Sequence, residues 1–137
     1  MTDEKIQLSL PSRIESIAEA AEAAAGVARR LELSEEAAFG LDMAVREAVT
    51  NAVLHGNREE GRKQVEVRFE EEGGELVVTV RDEGEGFDPA GVSDPTAEEN
   101  LLKTSGRGIL FMRSFMDTVE WEPHPEGGTV VRMTKKR

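Results

Sequence analysis

Glu47-Ala48-Val49-Thr50-Asn51-Ala52-Val53-Leu54-His55-Gly56 lies near the middle of the chain and mixes polar side chains into an otherwise apolar helical pattern. At ~100° per residue, steps of four turn only ~40°, so Glu47, Asn51 and His55 fall within ~80° on one helix face. Glu47 and Asn51 are ~6 Å apart along the axis, near enough to serve one ligand. Ala48, Val49, Ala52 and Val53 should then face a sheet or its border. A carboxylate and an amide oxygen are hard ligands of the kind Mg²⁺ accepts, and a carboxylate also serves as a general base. One such residue alone reads as a wet helix edge; a ladder ending in His55-Gly56-Asn57 is more specific.

Working outward, Ser34 is the expected N-cap of this helix, with Glu35 and Glu36 placed favourably in its first turn and Gly56 as its stop. Before it, Ile14, Ile17, Ala18, Ala21, Ala25, Ala28 and Leu31 recur every three or four positions and predict a first amphipathic helix. Ile6, Leu8 and Leu10 alternate with polar residues up to Pro11, the mark of a short edge strand. After it, Val65, Val67 and Phe69, then Leu76, Val78 and Val80, alternate around Glu72-Gly73-Gly74 and predict a β-hairpin. Residues 82–107 show no clear periodicity apart from a short helical turn expected at 96–102. A loop of that length in a compact domain usually works, often as a lid. A short helix, 109–116, and a last hairpin, 118–122 with 129–134, complete the order β-α-α-β-β-loop-α-β-β. Strands arriving in hairpins predict a mixed, mainly antiparallel sheet with helices on one face.

Two further stretches carry chemistry. Asp82-Glu83-Gly84-Glu85-Gly86-Phe87-Asp88-Pro89 follows directly on a strand, which would deliver the Asp82 carboxylate to the mouth of a pocket. Gly84 and Gly86 would admit a planar ring at close range. Ser105-Gly106-Arg107-Gly108 opens the helix beginning Ile109-Leu110, and a Gly-rich loop entering a helix presents free N–H groups to an anion, most often phosphate. Neither the Walker pattern nor the dinucleotide fingerprint is present. His124 reads as a loop residue, Trp121 as core or edge packing, and Met112 and Met116, beside Phe111 and Phe115, as core.

In order, the three motifs are E-x-x-x-N-A-x-x-H-G, D-x-G-x-G-F-D-P and S-G-R-G-I-x-x-M-x-x-x-M-D. They resemble the N box and two glycine boxes of the GHKL ATP-binding superfamily, and Gly128-Thr129 resembles its final Gly-Thr. Within that superfamily the chain is similar to bacterial anti-sigma-factor serine kinases, over nearly its whole length. The resemblance implies a Bergerat-type α/β two-layer sandwich formed by one domain, 1–137, with an ATP lid at 88–107. It implies ATP and Mg²⁺ as ligands. Asn51 would coordinate Mg²⁺, and Glu47 would take the proton from a substrate hydroxyl. Asp82 would accept from the adenine amino group, with Gly84, Gly86, Phe87 and Thr129 around the base. Gly106, Arg107, Gly108 and Ile109 would wrap the phosphates. Arg107 stands where an apolar residue is common, and either neutralises γ-phosphate charge or points to solvent. His55 matches the motif, and is otherwise a structural helix-end residue.

By the same resemblance, the function is a protein serine/threonine kinase. It would phosphorylate a small antagonist protein and regulate a sigma factor by partner switching, as a homodimer. The alternative is an ATP-binding anti-sigma or scaffold module without phosphotransfer. A histidine kinase would need a dimerisation helix pair carrying its own phospho-accepting His, and a DNA-processing ATPase would need a further domain.

Composition agrees. The 137 residues hold 28 acids against 17 bases, a net charge of −11, which disfavours direct contact with nucleic acid. Such a surface suits a basic protein partner better. The absence of Cys removes disulfides, thiolate metal sites and a Cys nucleophile. Neither an apolar run of membrane-spanning length nor a signal peptide is legible, so a soluble cytoplasmic protein without membrane contact is expected.

Overall fold

The computed structural model describes residues 5–53, 63–83, 114–125 and 127–136. Its elements are β1 (Lys5–Pro11), α1 (Glu15–Arg30), α2 (Glu35–Asn51), β2 (Gln64–Glu72), β3 (Glu75–Arg81), β4 (Thr118–Pro123) and β5 (Thr129–Lys136). They form a five-stranded sheet in the order β1-β2-β3-β5-β4, with β1 at one edge as expected. Among the described residues each of the four pairings is antiparallel, in keeping with the mainly antiparallel sheet expected from sequence.

Strand alternation sorts the sheet into two unlike faces. Ile6, Phe69, Val78, Met133 and Val119 lie opposite one another in one cross-strand row. Leu8, Val67, Val80, Val131 and Trp121 form the next, so Trp121 packs against the core as the sequence suggested. Phe69, Val78 and Met133 are almost completely buried together with Leu41, Val45 and Val49 of α2. The two helices pack on each other, α1 against β1 and β2 and α2 against β3. The opposite face carries Gln7, Arg68, Thr79, Arg132 and Glu120 in one row. Ion pairs stitch it, among them Arg68–Glu70 at 3.4 Å and Arg81–Glu66 at 3.6 Å. The result is a two-layer α/β sandwich.

Local chemistry explains the element ends. Ser34 accepts the Ala37 N–H at 3.1 Å, the expected N-cap, and Glu35 and Glu36 sit in the positive first turn of α2. The β2–β3 hairpin turns through Gly73 and Gly74 at φ 56° and 81°, which the tight turn demands. Helix α1 corrects the sequence reading. Its buried stripe is Ser16, Ala20, Ala21, Ala24, Val27 and Ala28, whereas Ala18 and Ala25 are exposed. Ile14 caps the helix at 56% exposure instead of joining the core. In a run of near-identical alanines, hydropathy contrast is too small to fix the roll of the helix, and the larger Val27 and Leu31 decide it.

Met116 is buried in the core as expected. Residues 114 and 115 are helical, the end of the expected 109–116 helix. The rest of that helix, the 96–102 turn, the 88–107 lid, the Gly56 helix stop, Phe111 and Met112 lie outside the described residues. Among the described residues no helix is long and apolar enough to cross a membrane.

Candidate functional site

Helix α2 owes its roll to a stripe of Leu41, Ala44, Val45, Ala48 and Val49, all at most 2% exposed. With those residues on the sheet, Glu47 and Asn51 come to the border of the buried face, half-covered. Ala52 and Val53 are buried, as the sequence pattern required. Burial pushes the Glu47 carboxyl above its ordinary pKa of 4.5, because its charged form loses solvent. One turn on, Asn51 Oδ1 is buried and has no hydrogen-bond partner among the described residues. An unpaired buried amide oxygen costs free energy, about 1–3 kcal/mol. Such an oxygen can accept from an incoming donor or bind a cation.

The second part grows from β3. Period two carries the inward parity of Val78 and Val80 on to Asp82, so its carboxylate points to the helix side and is only 8% exposed. Asp82 is fastened to the start of β5 twice. Its N–H donates to the Thr129 carbonyl at 3.0 Å, and its Oδ1 accepts the Thr129 N–H at 3.2 Å. The structure therefore brings together Asp82 and Thr129, two residues 47 positions apart that the sequence had set in one site. Gly128 makes this approach feasible. A Cβ there would lie 2.0 Å from the Asp82 carbonyl oxygen, and the residue sits at φ 89°. Only glycine meets both conditions.

Two residues that sequence reasoning passed over frame Asp82. Glu83 accepts the backbone N–H of Gln64 and so ties the exit of β3 to the start of β2. Arg81, on the outer sheet face, donates from Nη2 to the Gly127 carbonyl at 3.3 Å and pairs with Glu66. The available signal was a cation closing an apolar strand directly before an acid. His55, Gly84, Gly86, Phe87, Gly106, Arg107, Gly108 and Ile109 lie outside the described residues.

Among the described residues no group of three or more His, Asp or Glu could hold a metal by itself. A divalent cation at Asn51 would draw its remaining ligands from phosphate and water. That is the mode Mg²⁺ prefers, so Asn51 fits this ion.

The sequence profile described as "Histidine kinase-like ATPase domain" matches residues 10–135. The anti-sigma F factor of Clostridium botulinum (strain Eklund 17B / Type B) is 35% identical over 140 residues, spanning 99% of this chain and 96% of that protein. The serine-protein kinase RsbW of Bacillus subtilis (strain 168) is 32% identical over 136 residues, spanning 95% of this chain and 84% of its own. A solved mycobacterial sensor histidine kinase, MprB, superposes with a TM-score of 0.56 at 17% identity, covering 98% of this chain and 97% of that one, and so shares the fold.

Proposed function

This chain belongs to the histidine kinase-like ATPase domain family, and we propose that it is an anti-sigma-factor-type protein serine/threonine kinase. It binds ATP with Mg²⁺ and phosphorylates a Ser or Thr of a small antagonist protein, thereby regulating a sigma factor by partner switching. The observation that carries this reading is the pairing on α2 of a buried Asn51 Oδ1, with no hydrogen-bond partner among the described residues, and a half-buried Glu47 one turn away.

In this reading, Asn51 Oδ1 is a ligand of Mg²⁺, which supplies neutralisation of triphosphate charge when bound. Glu47 accepts the proton of the incoming hydroxyl as its oxygen bonds to the γ-phosphorus and ADP leaves. Its raised pKa makes it a better proton acceptor than an exposed carboxylate. Asp82, its plane set by the Thr129 N–H, accepts from the adenine amino group. Gly84, Gly86 and Phe87 contribute to the base pocket, and Gly106, Arg107, Gly108 and Ile109 to the phosphate loop. These roles rest on the family resemblance. The net charge of −11 suits a basic segment of a sigma factor.

Two substitutions test this with labelled ATP, a candidate antagonist protein and a parallel binding measurement. Asn51→Ala should weaken binding of Mg-ATP itself. Glu47→Gln should bind Mg-ATP like the parent yet lose phosphotransfer by about 10²–10⁴-fold, the range of a general base. Unimpaired transfer by Glu47→Gln would move the base elsewhere. A parent that binds both Mg-ATP and the antagonist but transfers nothing would leave an ATP-dependent binding module in place of a kinase.

A further inference from the structure

Arg81 is the last residue of β3, and its side chain leaves the sheet on the face away from the helices, where most charged residues reach water. It does not reach water freely. The side chain is only 17% exposed, and its Nε is buried with no partner among the described residues. A guanidinium held in this way is weak evidence for net stability, because desolvation offsets much of what its partners return. Its value lies in where it reaches.

Nη1 stands 3.6 Å from Glu66 Oε2, on the residue that faces Arg81 across the β2–β3 ladder. Nη2 donates to the Gly127 carbonyl at 3.3 Å. That carbonyl belongs to the peptide plane joining Gly127 to Gly128, in a turn where glycine φ angles of 100° and 89° leave the backbone otherwise soft. Within the turn, the His124 N–H donates to the Gly128 carbonyl at 3.0 Å, and the Gly127 N–H to the His124 carbonyl at 2.9 Å. The following N–H, that of Thr129, is the one that orients Asp82 Oδ1. A connected series thus runs from Glu66 through Arg81 and the Gly127 carbonyl to the Thr129 N–H and the Asp82 carboxylate.

We propose that Arg81 is a positioning residue for purine selection: by holding the Gly127 carbonyl it fixes the two-glycine turn, and so the direction in which Asp82 presents its carboxylate to the nucleotide base. The proposal rests on the reading that Asp82 accepts from the adenine amino group. Arg81 touches no nucleotide in this scheme and acts only through Thr129 and Asp82. Its loss should therefore weaken recognition of the base and leave phosphate binding intact.

The experiment measures Mg-ATP and Mg-GTP affinities by calorimetry for the full chain and for Arg81→Gln, Arg81→Lys and Asp82→Asn, with the Thr129 amide resonance followed by NMR. The parent should prefer ATP, and Asp82→Asn should abolish that preference. Arg81→Gln should lower ATP affinity about 10-fold, the worth of one well-formed hydrogen bond to a charged group, with GTP affinity unchanged. Arg81→Lys keeps the charge without the two-pronged fork and should fall between the parent and Arg81→Gln. The Thr129 amide should shift in both Arg81 variants without nucleotide. A merely structural role would weaken ATP and GTP equally, and that result overturns the proposal. If Arg81→Gln does not fold, an unchanged ATP/GTP ratio in Arg81→Lys overturns it as well. If Asp82→Asn keeps the parent's preference, the reading of Asp82 fails and the proposal falls with it. If Asp82→Asn loses the preference while the Arg81 variants keep it, only the role of Arg81 is refuted.

Discussion

Gly127 and Gly128 are chemically identical neighbours, and the structure predicts that alanine will be tolerated very differently at the two. Both hold positive φ, 100° and 89°, so either alanine bears a backbone strain of about 1–3 kcal/mol. At Gly127 that is the whole cost, because a Cβ there meets nothing within 4 Å among the described residues. At Gly128 the Cβ would stand 2.0 Å from the Asp82 carbonyl oxygen and 2.9 Å from its carbonyl carbon. Both are backbone atoms, which no rotamer change relieves. The strands must part by more than an ångström, which breaks the Asp82 N–H to Thr129 carbonyl bond and the Thr129 N–H to Asp82 Oδ1 bond. At about 0.5–1.5 kcal/mol each, these add about 1–3 kcal/mol to the strain. Urea unfolding reads the difference directly. With a slope of about 2 kcal/mol per molar, Gly128→Ala should unfold about 0.5–1.5 M earlier than Gly127→Ala. It should also lose ATP affinity that Gly127→Ala largely retains. Equal midpoints would show that the close approach of β5 to Asp82 is not a feature of the folded chain.

The displaced pKa of Glu47 has consequences for rate and for stability. Since folding raises it above 4.5, the acid limb of phosphotransfer should sit higher than for an ordinary carboxylate, and Glu47→Gln should lose that limb. The folded state binds this proton more tightly than the unfolded chain, so the stability it contributes is full below 4.5 and is lost as pH rises through the folded value. Glu47→Gln should accordingly melt above the parent at pH 7, with an advantage that shrinks as pH falls towards 4.5; a constant difference in melting temperature would contradict the burial. Ser34→Ala removes the one side-chain cap of α2 and should cost about 1 kcal/mol in urea unfolding, without changing the ATP/GTP ratio.

Most of the fold was legible because its signals are local and repetitive. The alternation of Val65, Val67 and Phe69 against Leu76, Val78 and Val80 survives as two neighbouring strands, with the paired glycines at the turn. Ser34 followed by two acids marks the start of α2 as read. What failed was the roll of α1, where alanine on every side gives equal hydropathy to buried Ala20 and exposed Ala18. There the facing helix and sheet choose the stripe, and no window of the sequence contains them.

Legibility of the site divides along the same line between local and distant contacts. Glu47 and Asn51 share a helix face by arithmetic, and Asp82 was marked by its position at a strand end. Arg81 and Glu83 were not visible, because each acts through a backbone group far away in sequence: the Gly127 carbonyl 46 residues on, and the Gln64 N–H 19 residues back. A side chain that bonds a backbone atom leaves no trace in the identity of the residue it bonds. Motifs therefore mark the groups that would meet the nucleotide, while the residues that orient those groups emerge only from coordinates. Asn51 Oδ1 has no hydrogen-bond partner among the described residues, whereas Asp82 Oδ1 already accepts from the Thr129 N–H. In the proposed reading affinity and specificity rest on different parts of this site, and substitutions at the two ends should separate them.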